Sequence, residues 1–311
     1  MLTTHISPDC DGLGSEIAFA SFLSSNGKEV SIINCSETPV SYRFLDPEHI
    51  IHHYSPASHD RALASADAIV VLDTNQPGRL AAMAGPVQAS KAKKIVIDHH
   101  LDADNFADLY ILDDSSAATG EIVYRVLEAF NGPKVSAHVA QALYAAIMTD
   151  TGSFRFPKTD ADLHRIVAHL IESGADPTLS YEQVYEQDSP NGIRLLGKTL
   201  GGFQTAHGGK VAYLTITAQM FEETGTGEPD VDRFAPYALA AKGVLIGLMF
   251  TELPGQIKIS FRSKGDIPIN ILAQEFGGNG HKNAAGTRIT GESLQEVVRR
   301  VVARSEHYLN T

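Results

Sequence analysis

The 311-residue sequence predicts an α/β protein: an N-terminal domain built on a parallel sheet with flanking helices, plus a smaller C-terminal α/β domain. Three observations point there. Short β-rich runs alternate with amphipathic stretches through the first half, as a parallel sheet with crossover helices requires. Apolar runs end repeatedly in Asp or His: Lys94-Ile95-Val96-Ile97 runs into Asp98-His99-His100, and comparable endings occur at His5 to Asp11, at Leu72-Asp73-Thr74 and at Met148-Thr149-Asp150. Buried strands seldom end this way unless they share a site, and in open α/β sheets that site lies beyond the carboxyl ends of the strands. Finally, the composition shifts at Gly201-Gly202 and His207-Gly208-Gly209, and the chain is long enough for two cores.

Taken in order, residues 14–26 are expected as a helix stopped by Gly27. Residues 30–33, 68–72 and 94–97 are expected as buried strands. Helices follow over 119–130 and 136–149. In the second, Val139, Ala142, Leu143, Ala146 and Ile147 share one apolar face, and Asp150 follows at its end. A helix over 161–173 is closed by Gly174. The polar stretch Asp188 to Gly192 and a helix to about Leu200 read as a connector. The boundaries expected are therefore 1–185, a helical linker at 186–205, and 206–311. In the last part, 211–216, 244–251 and 256–262 read as strands and 269–276 and 293–308 as helices. The Glu-, Gly- and Thr-rich segment 222–232 reads as a mobile loop.

Lys and Arg number 25 against 37 Asp and Glu, a net charge of −12. That argues against a broad basic face tracking long DNA or RNA, whose affinity comes from neutralised phosphates. Small phosphorylated substrates remain open, because carboxylates gathered around cations count as negative in such a sum. Two cysteines, Cys10 and Cys35, make no disulfide framework and fit a reducing compartment. Cys10 is expected as a buried spacer between two aspartates. No run approaches the ~18 apolar residues of a membrane span, and with the first candidate ligand at residue 5 no room is expected for a cleavable leader. A cytoplasmic protein without membrane partners is the expectation.

Asp9 and Asp11 lie two residues apart, and His5 shares their parity, so in extended chain all three would point the same way. Gly12 and Gly14 would let the backbone turn tightly into a helix, and Ser15 could cap that helix or touch phosphate. Each cluster alone has an ordinary explanation: a turn for Asp-x-Asp-Gly, an Asx-turn for Asp73 or Asp98, a satisfied pair for His99-His100. Their joint occurrence at element ends favours a two-metal hydrolytic centre. In the second half, Gly277-Gly278-Asn279-Gly280-His281 clusters glycines whose amides could cradle an anion. Phe261-Arg262-Ser263-Lys264-Gly265 adds a planar guanidinium suited to phosphate.

His5-x-x-x-Asp9-x-Asp11-Gly-x-Gly-Ser, Asp73, Asp98-His99-His100 and Asp150-Thr-Gly resemble, in order, the four motifs of the DHH phosphoesterase family. Gly277 to Gly286 resembles the hallmark of the DHH-associated substrate domain. The resemblance spans nearly the whole chain, and its nearest branch is the two-domain nanoRNase and pAp phosphatase type. It implies that His5, Asp9 and Asp73 bind one metal, that Asp11, Asp73, His99 and Asp150 bind a second, and that Asp73 bridges. Asp98 is implied to orient a histidine, and His100 to face the phosphate or leaving oxygen. Arg262, Ser263 and His281, with the backbone of Gly278, Asn279 and Gly280, are implied to hold the substrate. Asn279 stands where the family usually has glycine. It is expected to keep the loop's shape, since Asn tolerates left-handed backbone.

The function so implied is hydrolysis of short oligoribonucleotides such as pApA or pGpG, and of 3′-phosphoadenosine 5′-phosphate, in a cleft between the domains. Two divalent cations are implied, Mn²⁺ first and Mg²⁺ second, and homodimerisation is left open. Rival readings are a cyclic-dinucleotide phosphodiesterase, a pyrophosphatase or polyphosphatase, a processive exonuclease, and a non-catalytic nucleotide sensor. A sensor could dispense with the six ligands, and metal-stimulated turnover separates it from an enzyme.

Overall fold

The computed structural model describes every residue except Asp102, Pro133, Asn310 and Thr311, and the side chains of Asn131 and His281 are likewise outside the description. The chain divides into two compact units, Met1–Gln187 and Asp188–Thr311.

The first unit carries β1 (Leu2–Thr3), β2 (Ile32–Asn34), β3 (Ile51–His53), β4 (Ala68–Leu72), β5 (Lys93–Asp98) and β6 (Leu109–Leu112). They form one parallel sheet in the order β3-β2-β1-β4-β5-β6. Its helices are α1 (Cys10–Ser25), α2 (Pro56–Ser65), α3 (Ala84–Ala89), α4 (Thr119–Asn131), α5 (Ala137–Asp150), α6 (Ala161–Glu172) and α7 (Pro177–Tyr185). One core, with Leu13, Ile17, Val123, Leu143 and Leu170, joins the sheet to α1, α4, α5 and α6; another, with Ile33, Val71, Leu80 and Val96, lies on α2 and α3. The strand order reverses between β1 and β4, the switch point at which doubly wound sheets bind ligands. Chain leaving β1 carries His5 and Asp9, and chain leaving β4 carries Asp73.

Helix α1 starts four residues earlier than expected. Asp9 is its cap, its Oδ1 accepting from the amides of Asp11 and Gly12 at 3.0 and 3.2 Å. Asp11 therefore sits in the first helical turn, and the extended-chain parity expected for His5, Asp9 and Asp11 does not apply. Gly12 and Gly14 are helical too, and their service is closeness rather than a turn. A Cβ on Gly12 would lie 2.5 Å from Thr4 Oγ1, and one on Gly14 2.4 Å from the Ala142 carbonyl oxygen of α5. Ser15 neither caps nor faces solvent: it is wholly buried and its hydroxyl points to Asp11 Oδ1 at 3.5 Å. Cys10 is buried as expected.

The second unit holds α8 (Pro190–Gly201), β7 (Gln204–Ala206), β8 (Val211–Ile216), α9 (Ala218–Thr224), β9 (Ile246–Leu253), β10 (Gln256–Ser263), α10 (Ile269–Glu275), β11 (Asn279–His281), β12 (Ala284–Thr290) and α11 (Leu294–Ser305). The sheet runs β11-β12-β10-β9-β8-β7, with β8 and β9 parallel and the other pairs antiparallel. Helix α8, expected as a linker, packs Leu195 with Leu214, Ile216 and Phe234 of this unit, because its apolar face needs burial wherever a sheet offers it. The segment expected as a mobile loop ends α9 and then forms a short 3₁₀ turn at Glu228–Val231. Lys258 and Arg288 both pair with Glu228 and tie it to the sheet.

Candidate metal centre

The carboxyl edge of the first sheet gathers eight titratable side chains: His5, Asp9, Asp11, Asp73, Asp98, His99, His100 and Asp150. His5 Nε2 lies 3.2 Å from Asp73 Oδ2 and 3.8 Å from Asp9 Oδ2. His99 Nε2 lies 3.1 Å from Asp150 Oδ2, 3.8 Å from Asp11 Oδ2 and 3.7 Å from Asp73 Oδ1. His5, Asp9 and Asp73 make one group with ligand atoms within 4.8 Å of one another, and Asp11, His99 and Asp150 make a second. Asp73 reaches both, one oxygen toward each histidine. His100 stands beside it, with Nδ1 2.7 Å from Asp98 Oδ1 and 3.7 Å from Asp73 Oδ1.

Local chemistry explains why these groups hold still. Asp98 Oδ1 accepts the amides of His99 and His100 at 2.8 and 3.3 Å and so fixes the turn out of β5. The amides of Thr119 and Gly120, which open α4, donate to Asp11 Oδ2 and Oδ1 at 2.7 and 2.8 Å. A helix N-terminus favours negative charge, so it suits a carboxylate taken out of water. Thr119 Oγ1 donates to Asp73 Oδ1 at 3.0 Å. Asp73 itself adopts φ +59°, a left-handed backbone that non-glycine residues rarely take and that clusters at functional sites.

The electrostatics are those of crowded acid. Burial, with Asp73, Asp150 and Asp9 nearby, pushes the Asp11 carboxyl well above the ordinary range. Burial and the Asp9 charge raise Asp73, although His5 opposes them. Burial works against the charged form of His5, yet Asp73 and Asp9 carry it up to about 10. His99 is raised against its own burial, chiefly by Asp150. Burial would raise Asp9, but His5 and two helix amides leave it below the ordinary value. Such a nest of carboxylates calls for positive charge, and an oxygen and imidazole donor set with no thiolate suits hard divalent cations. The residues fit a pair of such ions.

Behind the centre, Glu16 of α1 is fully buried. Its Oε2 accepts from Asn34 Nδ2 at 2.8 Å, its Oε1 has no hydrogen-bond partner among the described residues, and burial pushes it up to about 8.

In the second unit Arg262 is half-buried on β10, one guanidinium nitrogen donating to the Phe261 carbonyl at 2.9 Å, with no carboxylate partner among the described residues. Burial lowers its pKa, as for a cation short of counter-charge. Ser263 is committed within the fold: its hydroxyl donates to the Ile267 carbonyl and accepts from Asn283. The glycine cluster is not an open loop. Asn279, Gly280 and His281 form the edge strand β11, paired with Gly286, Ala285 and Ala284. Gly278 and Gly280 permit that closeness, since a Cβ there would meet the Gly286 and Ala284 carbonyl oxygens at 2.3 and 2.5 Å. Asn279 has no left-handed φ, so the tolerance expected of it is not used. The side chain of His281 lies outside the described residues.

Residues 1–147 match the DHH family, N-terminal domain, and residues 208–306 match the DHHA1 domain. A protein of Thermus thermophilus described as bifunctional oligoribonuclease and PAP phosphatase NrnA is 30% identical over 97% of this chain and 87% of its own length. The chain belongs to the DHH family. A Bacillus subtilis protein with the same description is 29% identical to this DHH chain over 93% of it and 88% of the relative. The solved structure of an exopolyphosphatase-related protein from Bacteroides fragilis superposes with a TM-score of 0.94 at 29% identity, covering 100% of this chain and 93% of the other. No helix among the described residues of this DHH protein is long and apolar enough to cross a membrane.

Proposed function

We propose that this DHH phosphoesterase hydrolyses short oligoribonucleotides, dinucleotides such as pApA or pGpG above all, and also 3′-phosphoadenosine 5′-phosphate. The observation that carries this reading is Asp73, whose two oxygens face His5 on one side and His99 on the other. A carboxylate so placed would suit a pair of divalent cations, which would supply the charge that in-line phosphoryl displacement needs. The similarity to the Thermus thermophilus and Bacillus subtilis proteins supports the choice of substrate.

His5, Asp9 and Asp73 would hold one ion, and Asp11, His99, Asp150 and Asp73 the other, with Mn²⁺ preferred over Mg²⁺ for the mixed imidazole and carboxylate set. The ions supply charge that acidifies water and neutralises phosphate oxygens near neutral pH. The α4 amides would keep Asp11 aligned, and Asp98 would fix His100 through Nδ1. His100 would then use Nε2 to donate a proton toward the phosphate or leaving oxygen. Arg262 would bind a second phosphate of the substrate, and the backbone around Gly278 to His281 would contact the same end.

The test is a product assay with pApA, pGpG, 3′-phosphoadenosine 5′-phosphate, cyclic di-AMP and a long single strand, each with chelator and then with Mn²⁺ or Mg²⁺. Turnover of the first three, abolished by chelator and restored by Mn²⁺, is expected. Activity indifferent to chelation, or preference for the long strand or the cyclic dinucleotide, would overturn the reading.

A further inference from the structure

Immediately after Asp150 the chain makes an unusual turn. Gly152, Ser153 and Phe154 have φ of +57°, +60° and +64°, so two non-glycine residues in a row adopt left-handed backbone. Such strain persists only where surrounding contacts fix it, and here Thr151 does so. Its buried hydroxyl donates to the Ile147 carbonyl at 2.6 Å and accepts the Phe154 amide at 3.0 Å. Its carbonyl accepts both the Arg155 and Phe156 amides, at 3.0 and 3.1 Å. The Phe154 ring turns inward, 5.9 Å from Tyr144 and 5.7 Å from His164.

Phe156 does the opposite. The residue is 48% exposed, although its backbone amide is hydrogen-bonded to Thr151, the residue next to Asp150. Its tip lies where a side chain at Gly152 would begin: a Cβ there would sit 2.5 Å from Cζ. The guanidinium carbon of Arg155 stands 5.8 Å from the ring centroid, and Arg155 has no carboxylate partner among the described residues. A strained turn thus presents a seated aromatic ring and a cation to solvent, in the segment that directly follows Asp150 of the candidate metal centre.

We propose that Phe156 is a stacking platform for a nucleobase of the substrate, with Arg155 meeting a phosphate adjacent to that base. This rests on the short-nucleotide reading given above. Aromatic stacking tolerates any base, since every base has a π-face. It also suits a chain whose net charge of −12 denies it diffuse backbone binding. Recognition would then be by ring and by a few cations. A core role is the alternative for an aromatic residue, but core rings are covered and this one is not.

The chain contains no Trp, so Phe156→Trp places a single reporter at the position. With Mg²⁺ present, AMP should quench its emission saturably, and ribose 5-phosphate should not. Absent quenching by AMP, or equal quenching by the base-free sugar phosphate, would overturn the proposal. In kinetics, Phe156→Ala and Phe156→Leu should each lower kcat/KM on 3′-phosphoadenosine 5′-phosphate at least about 5-fold, mainly through KM, with Phe156→Tyr near wild type. On ribose 3,5-bisphosphate, the same phosphates without the base, the loss should vanish. Equal losses on both would make the ring merely structural. Quenching by AMP in a protein that turns over none of the substrates would sink the phosphoesterase reading and leave the platform standing. Turnover without quenching would do the reverse.

Discussion

Under the proposed function, Asp73 would concentrate the chemistry of the centre in one side chain. An amide in its place offers one neutral oxygen where two charged ones face two histidines. Asp73→Asn should therefore keep the fold and lose kcat by at least about 100-fold with Mn²⁺. Near-normal kcat in that variant would mean that the two groups do not share a carboxylate. Glu16 gives a separate handle, through pH. Its folded value of about 8 lies above an unfolded Glu near 4.3. The native state thus binds the extra proton between those values, and the group's contribution to stability is fully present below about 4.3 and lost as pH rises through 8. The slope approaches roughly 1.4 kcal/mol per pH unit. In chelator-treated protein, urea unfolding of wild type against Glu16→Gln should show wild type losing roughly 2 kcal/mol relative to the variant between about pH 5 and 7. Parallel curves would place the ionised carboxylate in the folded protein throughout. Residue types at the ends of strands and helices made the eight clustered side chains legible in advance. Thr119 and Gly120 were not, because their part is played by backbone amides held against Asp11 from 108 and 109 residues away. A glycine at a helix start was the one available signal.

At the scale of elements, periodicity located the longer helices and the central strands, while α2, α3, α7, β3, β6 and β12 carry too little pattern to be read from sequence. Three further errors fell where a side chain or a close contact overrides the pattern. The start of α1 was missed because Asp9 works as both a candidate ligand and a cap. The edge strand β11 was missed because its glycines, which suggest a loop, here let two backbones approach. Helix α8 reads as a connector in the sequence because its polar N-terminal stretch conceals the packing of Leu195. The α1–α5 contact shows what such closeness demands. Gly14→Ala would drive a methyl to 2.4 Å from the Ala142 carbonyl oxygen, a backbone atom that cannot rotate aside. The cost should be about 1–3 kcal/mol in urea unfolding, typical of overpacking, and metal affinity should fall as Asp11 shifts with its helix. An Ala variant as stable as wild type would show that the two helices have slack. Gly197, whose added Cβ would meet nothing within 4 Å, is the control.

For the whole molecule, the chain forms two units with separate cores. Carboxylates dominate the first unit's edge, while Arg262, without a carboxylate partner among the described residues, belongs to the second. Arg262→Ala should lower kcat/KM on pApA by about 10-fold or more, as for a lost charge-assisted contact, and change little on a minimal phosphodiester without the second phosphate. Equal losses on both would mean that Arg262 supports the fold. Left-handed backbone at Asp73, Ser153 and Phe154 adds a different consequence. Each costs conformational energy that a glycine would not incur, and Asp73 adds the repulsion of its acidic neighbours. Durability and turnover therefore pull against each other at these positions. A library selected only for survival of heating would drift first toward replacement of Asp73, and its hardiest members would be its slowest catalysts.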